Sequence, residues 1–273
     1  MSDQPSPPAA AGGALPPPER PFDLRGRVAL VTGAARPLGG AIALALAEAG
    51  ADVALAGLTG SADEHFQVNS AANQVWSLGR RHLALQVDLT DPVAVEAAVQ
   101  RVEDEWRRLD LLVNAQDLLF AMPFGETSLE EWNATLAANL TSVALTCQAA
   151  GRVMLRAGYG RIVNVASVAG DRGVMNMTAY AAAKSGVLAL TRALATEWAR
   201  TGVTVNMVQV GWYEDQAGIG DDPEHRKTLT KILPARALVT NDEVTGAVVM
   251  LAADSGYFTG QVVAVDGAAT ARI

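Results

Sequence analysis

GRVALVTGAARPLGGAIALALAEAG, residues 26–50, sets the architecture of this chain. VALVTG (28–33) is a continuous apolar run, the pattern of a strand buried on both faces. A glycine-containing turn follows, and then an amphipathic helix over 40–49. Glycines at a strand-to-helix turn let the backbone approach a pyrophosphate, and the helix N-terminus adds free N–H groups and a positive dipole end. The stretch therefore predicts a βα unit that can cradle phosphate.

Outward from this unit the alternation repeats. Apolar strand-like runs are read at 52–57, 82–88, 109–115, 161–167, 203–210 and 261–267. Helical stretches are read at 63–78, 92–107, 129–156, 177–201 and 241–253. Short apolar strands separated by helices imply βαβ units. The predicted fold is α/β: a single-domain, doubly wound Rossmann fold whose seven-stranded parallel sheet carries helices on both faces. In such a sheet ligands sit beyond the carboxyl ends of the strands. Residues 1–23, rich in Pro and Ala, read as a flexible tail, because such composition buries too little apolar area to offset its ordering entropy. The domain then spans 24–273, with the charged, glycine-containing stretch 212–234 read as a lid over substrate.

Two of those carboxyl-end regions carry chemistry. Ser167 ends the run RIVNVAS (161–167), and Tyr180 and Lys184 are spaced four apart in YAAAK (180–184). Residues at that spacing are neighbours on a helix, so an ammonium is expected beside a phenol. A free phenol has a pKa near 10, and bringing it to roughly 7 needs about 4 kcal/mol. A nearby cation supplies part of that. Tyr180 is thus read as an acid/base whose pKa Lys184 lowers.

Together, Thr32, Gly33 and Gly39, Asp88, Asn114 in LLVNA, Asn139 in AANL, Ser167, Tyr180, Lys184, Asn206 and TGQVVAVDG (259–267) resemble the short-chain dehydrogenase/reductase family. The similarity runs from about Leu24 to the C-terminus. It implies an Asn139–Ser167–Tyr180–Lys184 tetrad and hydride transfer between a nicotinamide cofactor and a carbonyl/alcohol pair. It also implies cofactor contacts at Thr32, Gly33, Arg36, Leu38, Gly39, Asp88, Leu89, Asn114, Tyr180, Lys184 and Gly211. Asp88 would reach the adenine and Asn139 would serve a proton relay to Lys184, while Asn114 reads as a tie between strands. Assembly as a homotetramer or homodimer through the long helices is implied in the same way.

Four departures fall on the cofactor side. Pro37 stands where the family has glycine, and Asn114-Ala115-Gln116-Asp117 replaces Asn-Asn-Ala-Gly. Val210-Gly211 replaces Pro-Gly, and Asp215 takes the place of a threonine. Two added carboxylates near a pyrophosphate repel it unless they are paired or point away. An alternative reading is therefore a protein on this scaffold with weakened or lost cofactor binding and a non-redox or binding role; a third uses Tyr180 as a base for elimination or isomerisation. Gly57 stands where an NAD-preferring chain has an acid, and Arg36 can reach a 2′-phosphate. This favours NADP(H), with NAD left open. Phe120, Met122, Val174, Met175, Met177, Trp212 and Tyr213 are read as an apolar substrate wall suited to a ketone or alcohol.

Composition limits the rest. Half of the chain is apolar, its formal charge is −8, and no Lys/Arg run is dense enough to track phosphates, so nucleic acid is not an expected partner. No stretch reads as a membrane span, no leader is recognised, and a cytoplasmic location is expected. Cys147 reads as a small core residue, and His65, His82 and His225 lack ligand spacing, so no metal is expected.

Overall fold

A computed structural model describes residues 22–216, 223–253 and 256–271. The predicted tail lies almost entirely outside them. Seven strands form one parallel sheet: β1 (Val28–Thr32), β2 (Asp52–Ala56), β3 (His82–Leu85), β4 (Leu111–Asn114), β5 (Gly160–Ser167), β6 (Val203–Val210) and β7 (Val262–Val265). Their order is β3-β2-β1-β4-β5-β6-β7. The order reverses between β1 and β4, which is where such sheets open a crevice for ligand. Thr32 pairs with Asn114 and Asn114 with Asn164 in register. Ser167 pairs with Val210 at the matching end of the next two strands.

The helices are α1 (Pro37–Glu48), α2 (Ala62–Ser77), α3 (Pro92–Trp106), α4 (Leu129–Leu136), α5 (Ser142–Ala157), α6 (Thr178–Trp198), α7 (Pro223–Ile232) and α8 (Asn241–Ala253). Two apolar clusters bury the two faces of the sheet. One joins α1, α2 and α8 to β1 and β2; the other joins α3, α5 and α6 to the opposite face. Side-chain caps start several helices: Ser61 accepts from Glu64 N–H, Asp91 from Val93 N–H, and Ser128 forms a reciprocal box with Glu131. Buried carboxylates pin the strand starts. Asp110 accepts from Val28 N–H at 2.8 Å and from Arg108 at 2.6 and 2.7 Å. Asp52 is paired with Arg80 and Arg81.

The structure shifts three boundaries. The first helix begins at Pro37 rather than residue 40, because proline at the first helical position loses only an N–H that the helix would not use. The single expected helix 129–156 is α4 and α5 joined by a π-helical turn, Ala137–Thr141, which holds Asn139. The stretch read as an irregular lid contains α7, whose polar composition hides its period, although Pro223 and Glu224 are ordinary helix-start residues.

Candidate active site

The carboxyl ends of β1, β4, β5 and β6 meet the first turns of α1 and α6. There Leu38, Gln116, Asp117, Ser167, Tyr180, Lys184, Gly211 and Tyr213 line a cavity of about 20 Å³, room for about one water. Ser167 is the last residue of β5, and Tyr180 and Lys184 project from one face of α6, both almost wholly buried. The expected convergence of serine, tyrosine and lysine is present.

What ties the cluster together is Asp117. Its Oδ1 accepts the Tyr180 hydroxyl at 2.6 Å and lies 3.0 Å from Lys184 Nζ. Its Oδ2 accepts the Tyr213 hydroxyl at 3.1 Å. Lys184 also donates to the Gln116 carbonyl at 3.1 Å. Here the expectation of a lysine-lowered phenol is corrected. Burial first, and then the Asp117 charge, push the Tyr180 hydroxyl well above its ordinary pKa, and only a smaller contribution from Ser167 opposes them. Burial and the Asp117 charge likewise raise Tyr213, with the Arg36 charge opposing. Lys184 cannot act on Tyr180 as a free cation, because its ammonium faces the carboxylate.

The glycine turn is built for close approach. Gly33 has φ +73°, and a side chain there would come within 2.5 Å of the Ala115 carbonyl and Gln116 nitrogen. A Cβ at Gly39 would run into the Gly33 carbonyl. These two glycines and the N-terminus of α1 suit a bound pyrophosphate. Of the two added carboxylates, Asp117 is paired with the Lys184 ammonium, and Asp215 is hydrogen-bonded by the neutral Asn241 amide at 2.8 Å. The donor set therefore fits a dinucleotide.

Other predicted residues are placed around this centre. Thr32 donates to Gln116 Oε1 at 2.5 Å, and Gln116 Nε2 donates to Ser142 at 3.1 Å. Asn114 ties strands, donating to Asn164 at 2.9 Å and accepting from Thr146 at 2.7 Å. Asn139 makes no hydrogen bond to Tyr180 or Lys184. It accepts from Leu118 N–H at 3.0 Å and donates to the Leu118 carbonyl at 2.9 Å, so it clamps the residue that follows Asp117. Asp88 accepts from the Thr90 N–H and hydroxyl, while Asp91 caps α3. Leu89 is buried and donates its N–H to Leu58. Met175 is largely exposed. Of the expected apolar wall, only Tyr213 lines the cavity.

Two polar groups were missed. The Tyr213 hydroxyl was read as part of an apolar wall. The acid missing at Gly57 comes from α2: Glu64 Oε2 accepts from the Leu58 and Thr59 N–H groups at 2.7 Å each, at the end of β2. Among the described residues no group of His, Cys, Asp and Glu is placed to hold a metal, and no helix is long and apolar enough to cross a membrane.

Similarity to known proteins spans almost the whole described chain. A family model described as enoyl-(acyl carrier protein) reductase matches residues 33–270. D-threitol dehydrogenase of Mycolicibacterium smegmatis is 37% identical over 254 residues, covering 92% of this chain and 95% of that protein. A 3-oxoacyl-(acyl-carrier-protein) reductase of Vibrio cholerae is 36% identical over 248 residues, covering 90% and 98%. The crystal structure of a gluconate 5-dehydrogenase from Burkholderia cenocepacia, in complex with NADP and tartrate, superposes with a TM-score of 0.85 at 31% identity, covering 93% of this chain and 98% of that one.

Proposed function

The chain belongs to the short-chain dehydrogenase/reductase family, and from that premise we propose that it is an NADP(H)-dependent oxidoreductase that interconverts an alcohol and a carbonyl, with Tyr180 as the acid/base. The observation that carries the proposal is the convergence of Ser167, Tyr180 and Lys184 on one cavity beside the glycine turn. When bound, the nicotinamide supplies the acceptor or donor of hydride. Gly33, Gly39 and the N-terminus of α1 would hold the pyrophosphate, with Leu38 and Gly211 at the cavity wall. Tyr180 gives a proton to the substrate oxygen in reduction and takes it in oxidation. Ser167 hydrogen-bonds that oxygen and fixes it in line. Lys184 holds the polar groups around Tyr180, and Asn139 fixes the backbone that carries Asp117.

NADP in the related gluconate dehydrogenase structure and Arg36 at the first turn support the cofactor assignment. One observation favours NAD(H) as a second reading, namely the Glu64 carboxylate at the end of β2, where a 2′-phosphate meets repulsion. Carbonyl reduction in the cytoplasm, a lid drawn from 212–216 and 223–234 (217–222 lie outside the described residues) and a homotetramer complete the proposal. Nucleotide fluorescence titrations with NADPH and NADH, followed by an alcohol and ketone panel, test it. Tyr180→Phe is expected to lower turnover by about 10²–10⁴-fold with nucleotide affinity nearly unchanged. Full activity in that variant would refute the assignment of Tyr180.

A further inference from the structure

We propose that Asp117 is a positioning residue that receives the Tyr180 proton as Tyr180 takes a proton from an alcohol substrate. The proposal rests on the alcohol–carbonyl reading above.

An ionised carboxylate only accepts hydrogen bonds. The Tyr180 proton therefore points at Asp117 Oδ1, and the 2.6 Å separation is that of a charge-assisted O–H···O⁻ bond. A phenol whose single proton is already donated offers only lone pairs to a substrate. It can take an alcohol proton only as its own proton passes to Asp117 in the same step. Lys184 at 3.0 Å and the Tyr213 hydroxyl at 3.1 Å hold the carboxylate in place, and Asn139 clamps the adjacent Leu118 on both its N–H and its carbonyl.

A bound oxidised nicotinamide would accept the hydride released as the alcohol C–H bond breaks. The alcohol O–H proton moves to Tyr180 Oη while the phenol's original proton moves to Asp117 Oδ1. The alcohol is oxidised, the nicotinamide reduced, and one proton is left on Asp117 for release to solvent. The phenol stays neutral throughout, in keeping with a Tyr180 hydroxyl that its surroundings hold protonated. Reduction runs the same path in reverse, from a protonated Asp117.

The charged and titratable groups facing Asp117 are Tyr180 and Lys184 on α6 and Tyr213 after β6. The charges of Arg36 and Asp215 act on Tyr213.

The test uses Asp117→Asn and, should that variant not fold, Asp117→Gly. With the wild-type protein, alcohol oxidation (kcat/KM) is expected to be level through neutral pH. In the variants it rises about tenfold per pH unit, because Tyr180 must then ionise before it can act as a base. A level profile in a folded variant overturns the proposal. Tyrosinate absorbance, read as the difference from Tyr180→Phe, gives a second readout that needs no turnover. The variants should ionise Tyr180 at least about one pH unit lower than wild type, and unchanged ionisation overturns the proposal. Absence of turnover in the wild-type protein would instead refute the alcohol–carbonyl reading, and the tyrosinate titration would still decide the coupling.

Discussion

Replacing Gly33 by alanine separates two properties that the first turn combines. The residue has φ +73°, and a Cβ there would lie 2.5 Å from the Ala115 carbonyl carbon, its oxygen and the Gln116 nitrogen. The left-handed conformation alone costs a non-glycine residue about 1–2 kcal/mol. Forcing a methyl against backbone adds about 1–3 kcal/mol, as overpacking does elsewhere. A loss of about 3 kcal/mol corresponds to a melting temperature lower by roughly 6–12 °C in a domain of this size. Gly79 is the matched control, with φ +74° and no atom within 4 Å of the same Cβ. Gly79→Ala carries only the conformational cost, partly offset by a stiffer unfolded chain, and should lose about 1 kcal/mol or less. Thermal denaturation followed by circular dichroism measures both. The displaced Gln116 backbone carries the carbonyl that accepts from Lys184, so nucleotide binding should weaken in Gly33→Ala and not in Gly79→Ala. Equal melting temperatures for the two variants would refute the clash and, with it, the close packing of the first turn on β4.

Three further outcomes follow from a half-buried carboxylate and a buried thiol. Glu64→Gln removes the negative charge at the end of β2 and keeps the side-chain oxygen that holds the Leu58 and Thr59 N–H groups; the ratio of NADPH to NADH affinity should rise on the order of tenfold, about 1.4 kcal/mol, and an unchanged ratio would make Glu64 a loop clamp only. Burial pushes the Cys147 thiol from 9.0 up to about 12, so a thiol reagent should leave the native protein unlabelled at mildly alkaline pH and label it in denaturant. Because the folded state holds that proton more tightly, the thiol's contribution to stability is complete below pH 9 and is lost as pH rises toward about 12; urea midpoints across that range check the sign.

The sheet was legible because its evidence is local. Runs such as VALVTG and VTVNMVQV are rich in Val with no charged residue, the pattern of a strand covered on both faces, and every position of β1 and β6 is buried. The serine–tyrosine–lysine set was legible for a related reason: a four-residue spacing fixes a shared helical face, and a strand end fixes a direction. Glu64 was missed despite a local signal. It stands three residues after Ser61, the spacing of a capping box, and its N–H does bond the Ser61 hydroxyl. Its carboxylate, however, turns back past Gly57 to the backbone of β2, and only the absence of a side chain at Gly57 leaves room. Asp117 stood out as an added carboxylate after the fourth strand, but its partners were not legible, since they lie 63, 67 and 96 positions along the chain.

That carboxylate explains why Asn114-Ala115-Gln116-Asp117 departs from its family as a unit. The Lys184 ammonium is almost completely buried, and a buried ammonium needs a counter-charge or several acceptors. The Gln116 carbonyl gives one acceptor and Asp117 gives the charge. Gln116 in turn spans from Thr32 on β1 to Ser142 on α5, which fixes the backbone from which both acceptors project. Ala115 is small where the Gly33 turn presses on its carbonyl. Read residue by residue, each change looks like erosion of a cofactor site. Read through their contacts, the three form one support that sets the charge, the proton and the spacing of Tyr180 and Lys184. A site losing its function would be expected to leave such a buried ammonium unpaired or to replace it, and here it is paired.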